Sequence, residues 1–129
     1  MRLLLDTHAW LWSVAPSDRL SGEARSAIEN PLNEVIFSTA SAWEISIKYG
    51  VGRLHLPAAP DSYIPSRISM LRMTTLRVEL AHACAVHSLP LHHRDPFDRL
   101  LIAQAIVEGL TIVTADAHFS RYDVALLKT

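Results

Sequence analysis

The stretch HHRDPFDRLLIAQA, residues 92–105, decides how the rest of the chain is interpreted. Asp95 precedes Pro96, an order that predicts an N-cap followed by the first residue of a helix, where the missing N–H of proline costs nothing. Gly109 is the predicted C-terminal stop. The apolar residues between these signals are Phe97, Leu100, Leu101, Ile102, Ala103, Ala105, Ile106 and Val107. Because they cover almost every side, the pattern indicates a central, buried helix.

Asp98 is the exception in this helix, because it places a carboxylate in the first turn of an otherwise apolar segment. One interpretation is structural: the side chain completes the cap and interacts with the positive end of the helix dipole. The other is that Asp98 belongs to a functional site. This stretch by itself favours neither interpretation. The choice between them depends on where the other acidic residues of the chain lie.

Length and composition predict one domain over residues 1–129, because domains usually contain roughly 100–200 residues. Half of the residues are hydrophobic and 19% are charged, which is enough apolar material for a sizeable core and excludes a disordered chain. The formal net charge is −1, so the chain lacks the global basic field of many nucleic-acid binders. Any polyanion would have to be held by local Arg and Lys side chains or through a metal ion.

The cysteine content and the first residues indicate the compartment. Cys84, the single cysteine, lies among alanines and is predicted to be a small buried side chain. One cysteine permits neither an intrachain disulfide nor a cysteine-based metal site, which fits a reducing cytoplasm. The opening MRLLLD is too short an apolar run for a signal peptide, and no segment approaches the ~20 apolar residues of a membrane span. We expect a cytoplasmic protein without a membrane partner.

Short apolar runs alternate with helical patterns along the whole chain. The predicted strands are residues 3–5, 34–38, 73–76, 110–114 and 124–127. The predicted helices are residues 7–14, 21–30, 41–50, 61–73, 78–89 and 96–108, with a turn or short helix over 116–122. This alternation predicts a three-layer α/β domain, in which a central parallel sheet of about five strands carries helices on both faces. In such sheets, ligands bind beyond the carboxyl ends of the strands.

Three acids follow predicted strands at this edge. Asp6, Glu44 and Asp116 each lie just past the carboxyl end of a strand, whereas Asp98 needs the fold to bring it there. Structural alternatives exist, since Asp6 and Asp116 suit caps or turns. Glu44 completes an S-x-x-E capping box with Ser41 and also lies four residues before a lysine.

Convergence of these acids would require a cation. Two carboxylates ~4 Å apart repel by about 4 kcal/mol at an effective dielectric constant of ~20, so a cluster would protonate or separate without one. Oxygen ligands select Mg²⁺ or Mn²⁺, ions that bind phosphate oxygens and promote phosphodiester hydrolysis. His8 is expected to reach the same crevice. His92 and His93 adjoin the central helix but form no helical ligand pair, so no zinc site is predicted.

Four segments together are similar to the motifs of the PIN-domain family: DTHAWLW (6–12), SAWEISIK (41–48), DPFDRLLIAQA (95–105) and TADAHF (114–119). Within that family the chain resembles the VapC-type toxins of VapBC toxin–antitoxin pairs. The motifs occur in the family's order and run from the first predicted strand to the last.

This resemblance implies an endoribonuclease that uses Mg²⁺, with Mn²⁺ as a substitute. It places the catalytic and metal-binding acids at Asp6, Glu44, Asp98 and Asp116. Asp6 and Asp98 would bind the metal directly, while Glu44 and Asp116 would complete the site or act through water. Thr7 and Thr114 match polar positions beside these acids, and the role of Asp95 stays open. The implied partners are an RNA substrate, a VapB-type antitoxin and a second copy of the chain in a homodimer.

Two other classes of protein fit the sequence less well. A phosphatase with an aspartate pocket needs D-x-D after the first strand, where this chain has Asp6-Thr7-His8. A receiver domain needs a phosphorylatable Asp after a middle strand and a late lysine, for which the chain has no good candidate. A catalytically silent PIN module that only binds a partner is disfavoured by the intact acids. Arg94, Arg99 and Lys48 are candidates for phosphate contacts, although each also suits a solvated or paired surface charge.

A groove for the antitoxin is predicted from the tryptophans. Trp10 and Trp12 are two residues apart on one helix, so they cannot both face the core squarely. We expect one of them, with part of the helix that carries Trp43, to line an apolar groove for an antitoxin segment.

Overall fold

The computed structural model describes all residues from 1 to 129. The chain contains five strands and six α-helices. The strands are β1 (Arg2–Leu5), β2 (Glu34–Ser38), β3 (Thr74–Leu76), β4 (Thr111–Thr114) and β5 (Leu126–Lys128). The α-helices are α1 (Thr7–Ser13), α2 (Gly22–Glu29), α3 (Thr39–Gly50), α4 (Pro60–Met70), α5 (Leu80–Ala85) and α6 (Pro96–Glu108). Two 3₁₀ helices cover Val86–Ser88 and Ala117–Arg121. None of the helices combines the length and apolarity that crossing a bilayer requires.

All five strands join one parallel sheet in the order β3-β2-β1-β4-β5, with β1 at the centre. Leu4 of β1 pairs with Ile36 of β2 on one side and with Ile112 of β4 on the other. Because every strand runs in the same direction, all their carboxyl ends lie at one edge. The predicted five-stranded parallel sheet is confirmed.

The two faces of β1 bury side chains in separate cores. Leu3 and Leu5 face a cluster that contains Trp10, whereas Leu4 faces a second cluster that contains Ile102 of α6. This alternation follows from the two-residue period of a strand, and burial on both faces explains why β1 is a continuous apolar run. The predicted three-layer arrangement is therefore also confirmed.

Helix α6 has the predicted termini. The Asp95 side chain accepts hydrogen bonds from the N–H groups of Phe97 and Asp98 at 2.9 and 3.0 Å, and Gly109 ends the helix in the left-handed region at φ 69°. The prediction that this helix is buried on almost every side is wrong, however. Ile106 and Val107 are exposed, because only one face of α6 packs on the sheet.

The predicted burial of Cys84 is also wrong, since this side chain is exposed. The predicted helix 78–89 is divided into α5 and a 3₁₀ turn, and the residue that α5 buries is His82. The His82 ring accepts the N–H of Glu79 at 2.9 Å and contacts the Glu108 carboxylate at 2.9 Å. These polar partners satisfy both ring nitrogens, which explains why histidine occupies the buried position.

Candidate active site

One polar cavity of about 160 Å³ lies at the carboxyl edge of the sheet, and all four acids that the sequence singled out line it. No hydrophobic residue contributes to its wall. The lining residues are Asp6, Thr7, His8, Glu44, Lys48, His93, Asp95, Asp98 and Asp116. The predicted position of His8 at this crevice is confirmed, and Asp95 lies there as well as capping α6.

Asp6 and Glu44 form the buried part of the cavity, which we call the floor; they are only 5% and 4% exposed. Asp6 directly follows β1 and caps α1, accepting the N–H of Ala9 at 2.8 Å. The Thr114 hydroxyl at the end of β4 donates to its other oxygen at 2.5 Å. Burial raises the pKa of Asp6 above its ordinary value, even though these hydrogen bonds act in the opposite direction.

Glu44 occupies the middle of α3 and takes no part in a cap. The helix begins at Thr39, and the hydroxyl of Ser38 caps it, so the capping-box interpretation with Ser41 is wrong. Glu44 accepts a hydrogen bond from the Thr7 hydroxyl at 2.6 Å and forms a 2.6 Å ion pair with Lys48, one turn further on. The structural role left for Glu44 is therefore the i,i+4 pair, and its carboxylate faces the cavity.

Asp98 and Asp116 form the more open part of the cavity, which we call the rim; their side chains are 17% and 37% exposed. The capping interpretation of Asp98 is wrong, because Asp95 supplies the cap and the Asp98 carboxylate instead contacts His93 Nε2 at 2.8 Å. Burial raises the pKa of Asp98 to about 7, assisted by the negative charges of nearby carboxylates and opposed by the hydrogen bond with His93.

Asp116 follows β4 and caps the second 3₁₀ helix. Its Oδ1 accepts the backbone N–H of His118 at 2.9 Å and lies 2.8 Å from Nδ1 of the same residue. Partial burial would raise the pKa of Asp116, but the hydrogen bonds from His118 and the charges of His118 and His93 outweigh burial, and the pKa is lowered. The hydroxyl of Thr114 accepts the N–H of Asp116 at 2.9 Å, so one side chain joins the floor to the rim.

His93 is the site residue that sequence reasoning missed. Its ring stacks on that of His118, with centroids 4.4 Å apart and planes inclined by 12°, and its Nε2 lies 3.9 Å from Asp116 Oδ2. The backbone N–H of His93 donates to the Tyr122 hydroxyl at 3.0 Å. No spacing rule places a loop histidine opposite two acids, because the position depends on how the loop folds back onto α6.

Lys48, Arg94 and Arg99 were the candidates for phosphate contacts, and the prediction is wrong for Arg99. Its guanidinium is occupied by four backbone carbonyls between residues 86 and 93, the shortest bond being 2.8 Å to Pro90, and by the Tyr122 hydroxyl at 3.2 Å. Arg99 therefore holds the loop that carries His93. Lys48 lines the cavity. Arg94 is exposed and lies in the sequence between His93 and Asp95, which both line the cavity.

The donor set of the cavity fits a hard divalent cation. Its carboxylates outnumber the single ammonium of Lys48, and burial raises the pKa of both Asp6 and Asp98. Carboxylate oxygens without a cysteine suit Mg²⁺ or Mn²⁺.

Comparison with known proteins identifies the family. The PIN domain family model matches residues 3–125. The chain belongs to the PIN-domain family. It is 32% identical over 114 residues to Ribonuclease VapC22 of Mycobacterium tuberculosis, covering 88% of this chain and 86% of that protein. It is also 38% identical over 60 residues to Ribonuclease VapC16 of the same organism, a match to 46% of this chain and 43% of VapC16.

The fold of this PIN domain is shared with a solved complex, VapBC2 from Rickettsia felis bound to a DNA fragment from its promoter. The TM-score is 0.74, and the alignment covers 100% of this chain and 99% of the matched chain. The sequence identity is 19%, so this likeness concerns the fold alone. The resemblance to the VapC-type branch, drawn from four motifs, is confirmed.

Proposed function

We propose that this PIN-domain protein is a metal-dependent endoribonuclease that acts as the toxin of a type II toxin–antitoxin pair. The observation that carries the proposal is the convergence of Asp6, Glu44, Asp98 and Asp116 on one polar cavity at the carboxyl edge of the sheet. The relatives named as VapC ribonucleases support RNA as the substrate. A silent interaction module would have no need for four acids whose charges oppose one another.

Asp6 and Asp98 are proposed to bind Mg²⁺ directly, with Glu44 and Asp116 completing the site; Mn²⁺ would serve as a substitute. When bound, such an ion lowers the pKa of water and offsets the negative charge that develops on the phosphate. The protein contributes fixed positions for these acids, because two hydroxyls anchor the floor and two imidazoles contact the rim.

Cationic side chains would orient the RNA. Lys48 keeps its ammonium at the cavity through the ion pair with Glu44, and its side chain is 40% exposed, so it is accessible for contact with a phosphate oxygen. Arg94 is exposed and precedes the capping residue of α6, which makes it the second candidate for a phosphate contact. Arg contacts phosphate through paired N–H donors, whereas Lys acts as a point charge.

A VapB-type antitoxin is the proposed protein partner, supported by the VapBC complex that shares this fold. Of the two tryptophans on α1, Trp10 is completely buried in the core and Trp12 is half-buried, so Trp12 is the one that remains for the predicted groove. Trp43, Ile47 and Val51 are exposed at four-residue intervals along and just past α3 and form an apolar strip there. We propose that an apolar antitoxin segment covers this strip. The expected homodimer is a further proposal, which light scattering at several concentrations tests.

Cleavage of RNA by the purified protein tests the enzymatic proposal. Single-stranded or loop RNA should be cut with Mg²⁺ or Mn²⁺ and left intact with EDTA, without a need for Zn²⁺. Asp6→Asn should lower the rate by more than about 100-fold, the upper range for loss of a residue that merely supports a metal ligand. The asparagine still accepts the N–H of Ala9, so the α1 cap survives.

Asp18→Asn is the matched control, because Asp18 is exposed and lies in neither the sheet nor the cavity. It should cleave like the parent protein. Cleavage that persists in EDTA would contradict the metal mechanism. Antitoxin binding by a protein that cuts no RNA with any divalent ion would identify the silent interaction module instead.

A further inference from the structure

A second cavity, of about 260 Å³, adjoins the acidic one and shares part of its wall. Unlike the acidic cavity, it contains an indole and a guanidinium. Its lining residues are Asp6, His8, Trp12, Arg19, Ala115 and Asp116. Because Asp6, His8 and Asp116 line both spaces, whatever occupies the second cavity lies directly beside the acids.

Three planar side-chain groups lie together in this cavity: an imidazole, an indole and a guanidinium. His8 and Trp12 are four residues apart on α1 and share a face, with ring centroids 5.9 Å apart. The guanidinium carbon of Arg19 lies 5.8 Å from the Trp12 ring centroid. Trp12 is half-buried, with one part against the core, whereas His8 and Arg19 are exposed. The indole is thus held in place and still accessible.

The charge of Arg19 is uncommitted within the fold. None of the ion pairs of the structure includes Arg19. Its one polar contact with a side chain uses the backbone N–H, which donates to the Ser17 hydroxyl. A free guanidinium beside an indole is a combination that recognises a nucleotide, because the ring stacks on a base while the guanidinium contacts a phosphate.

We propose that Trp12, Arg19 and His8 form a subsite for one unpaired nucleotide of the RNA, adjacent to the phosphodiester that is cut. The base stacks on Trp12, and Arg19 binds the phosphate on the far side of that nucleotide. The subsite rests on the proposed ribonuclease function and gives the expected preference for unpaired RNA a physical cause, since a base within a duplex is already stacked. The cavity is smaller than the roughly 300–1,000 Å³ of drug-sized sites, which suits a single base.

Cleavage kinetics on a short single-stranded RNA test the subsite. Trp12→Ala and Arg19→Ala should each raise KM by about 10-fold and change kcat by less than about 2-fold, because stacking binds substrate and transition state alike. Trp12→Phe should recover most of the affinity. Arg19→Ala removes an exposed side chain, so its result does not depend on repacking of the core. Tyr49→Ala, a change of an exposed aromatic residue outside both cavities, should leave KM unchanged.

Abasic substitutions in the RNA identify the nucleotide. One abasic position next to the cut should raise KM by about 10-fold for the parent protein and have no further effect on Trp12→Ala. Unchanged KM in both Trp12→Ala and Arg19→Ala would overturn the subsite while leaving the ribonuclease intact. A Trp12→Ala protein that loses antitoxin binding but keeps its KM would assign this surface to the antitoxin instead.

Binding of the same RNAs to Asp98→Asn protein, measured by anisotropy of a labelled oligonucleotide, separates the two proposals. If the parent protein cuts no RNA, the ribonuclease proposal fails. The subsite is then upheld by a Trp12-dependent difference between intact and abasic RNA, and overturned by equal binding of both.

Discussion

The floor and the rim of the acidic cavity contain the same kind of side chain held in different ways. The floor carboxylates, Asp6 and Glu44, are buried and receive hydrogen bonds from the hydroxyls of Thr114 and Thr7. The rim carboxylates, Asp98 and Asp116, are partly exposed and contact imidazoles. A hydroxyl does not titrate in the physiological range, whereas an imidazole does.

This difference separates a fixed half of the site from a responsive half. The hydroxyl partners of the floor neither gain nor lose a proton in this range, so at the floor only the carboxylates themselves titrate, Asp6 with a raised pKa. At the rim, Asp98, with a pKa of about 7, faces a histidine, so near neutral pH protons would compete with the proposed divalent ion for the same carboxylate oxygens. Each prediction below tests one side of this contrast.

The largest effect is expected at the rim, from Asp98→Asn. Metal binding and cleavage should fall by more than about 100-fold, because a proposed direct ligand loses its charge. Without metal, at pH 8, the same change should stabilise the protein by roughly 1 kcal/mol, or about 3–5 °C in melting temperature, since repulsion among the carboxylates decreases. Thermal melts with and without Mg²⁺ beside a cleavage assay measure both quantities.

Asp95→Asn is the matched control for that experiment. It removes a carboxylate three residues away, and asparagine caps a helix as well as aspartate does, so most of the activity should survive. An Asp98→Asn protein that melts at a lower temperature without metal yet still cuts RNA would refute the assignment of Asp98 to catalysis.

An intermediate effect is expected from pH. The pKa of Asp98 in the folded protein, about 7, lies above its ordinary value of 3.8, so the folded state holds this proton more tightly than the unfolded state. The free energy of unfolding without metal should therefore fall as pH rises from about 4 to 7 and level off above that. Mg²⁺ affinity should rise by up to about tenfold per pH unit below 7.

Asp98→Asn should remove most of this pH dependence. The part that remains should come from Asp6, whose pKa is also raised. Asp116 has a lowered pKa, so it contributes stability above its ordinary pKa and loses it only in more acidic solution. Chemical denaturation and Mg²⁺ titrations at a series of pH values measure these slopes. A flat profile between pH 5 and 8 would contradict the contrast between floor and rim.

The smallest effect is expected from Thr114→Val, which removes the hydroxyl that joins floor and rim. Cleavage should drop by about 10-fold, the lower range for loss of a group that orients a metal ligand, and stability should fall by about 1 kcal/mol. Thr111→Val at the other end of β4 is the control and should leave cleavage unchanged. Equal effects of the two changes would mean that the hydroxyl supports the strand alone.

Local sequence signals predicted the parts of this structure that depend on neighbouring residues. The cap at Asp95, the left-handed stop at Gly109 and the strand Glu34–Ser38 are all present, because proline, glycine and β-branched residues act through the backbone of their own segment. The convergence of Asp6 and Asp116 also follows from a general rule, since both come after strands of one parallel sheet.

Contacts between distant segments were not predictable in the same way. Ser41 and Glu44 match a capping box, but α3 starts earlier because Ser38, the last residue of β2, already supplies a cap. Arg99 and Cys84 were assigned by their types, whereas the path of the 86–93 loop and the shortness of α5 determine their surroundings. His93 reaches the acids only because that loop folds back, a property that no pattern within it encodes.

The bond between Thr114 and Asp6 spans 108 positions of the chain, and it has a consequence for synthesis on the ribosome. A nascent chain that has reached β3 already contains Asp6 and Glu44, but β4 has not yet been added beside β1, and Asp98 and Asp116 have not yet been translated. Closing this long loop requires the central strand to wait for a partner made near the end of translation. The acidic cavity of this toxin is therefore complete only when almost the whole sheet has been synthesised.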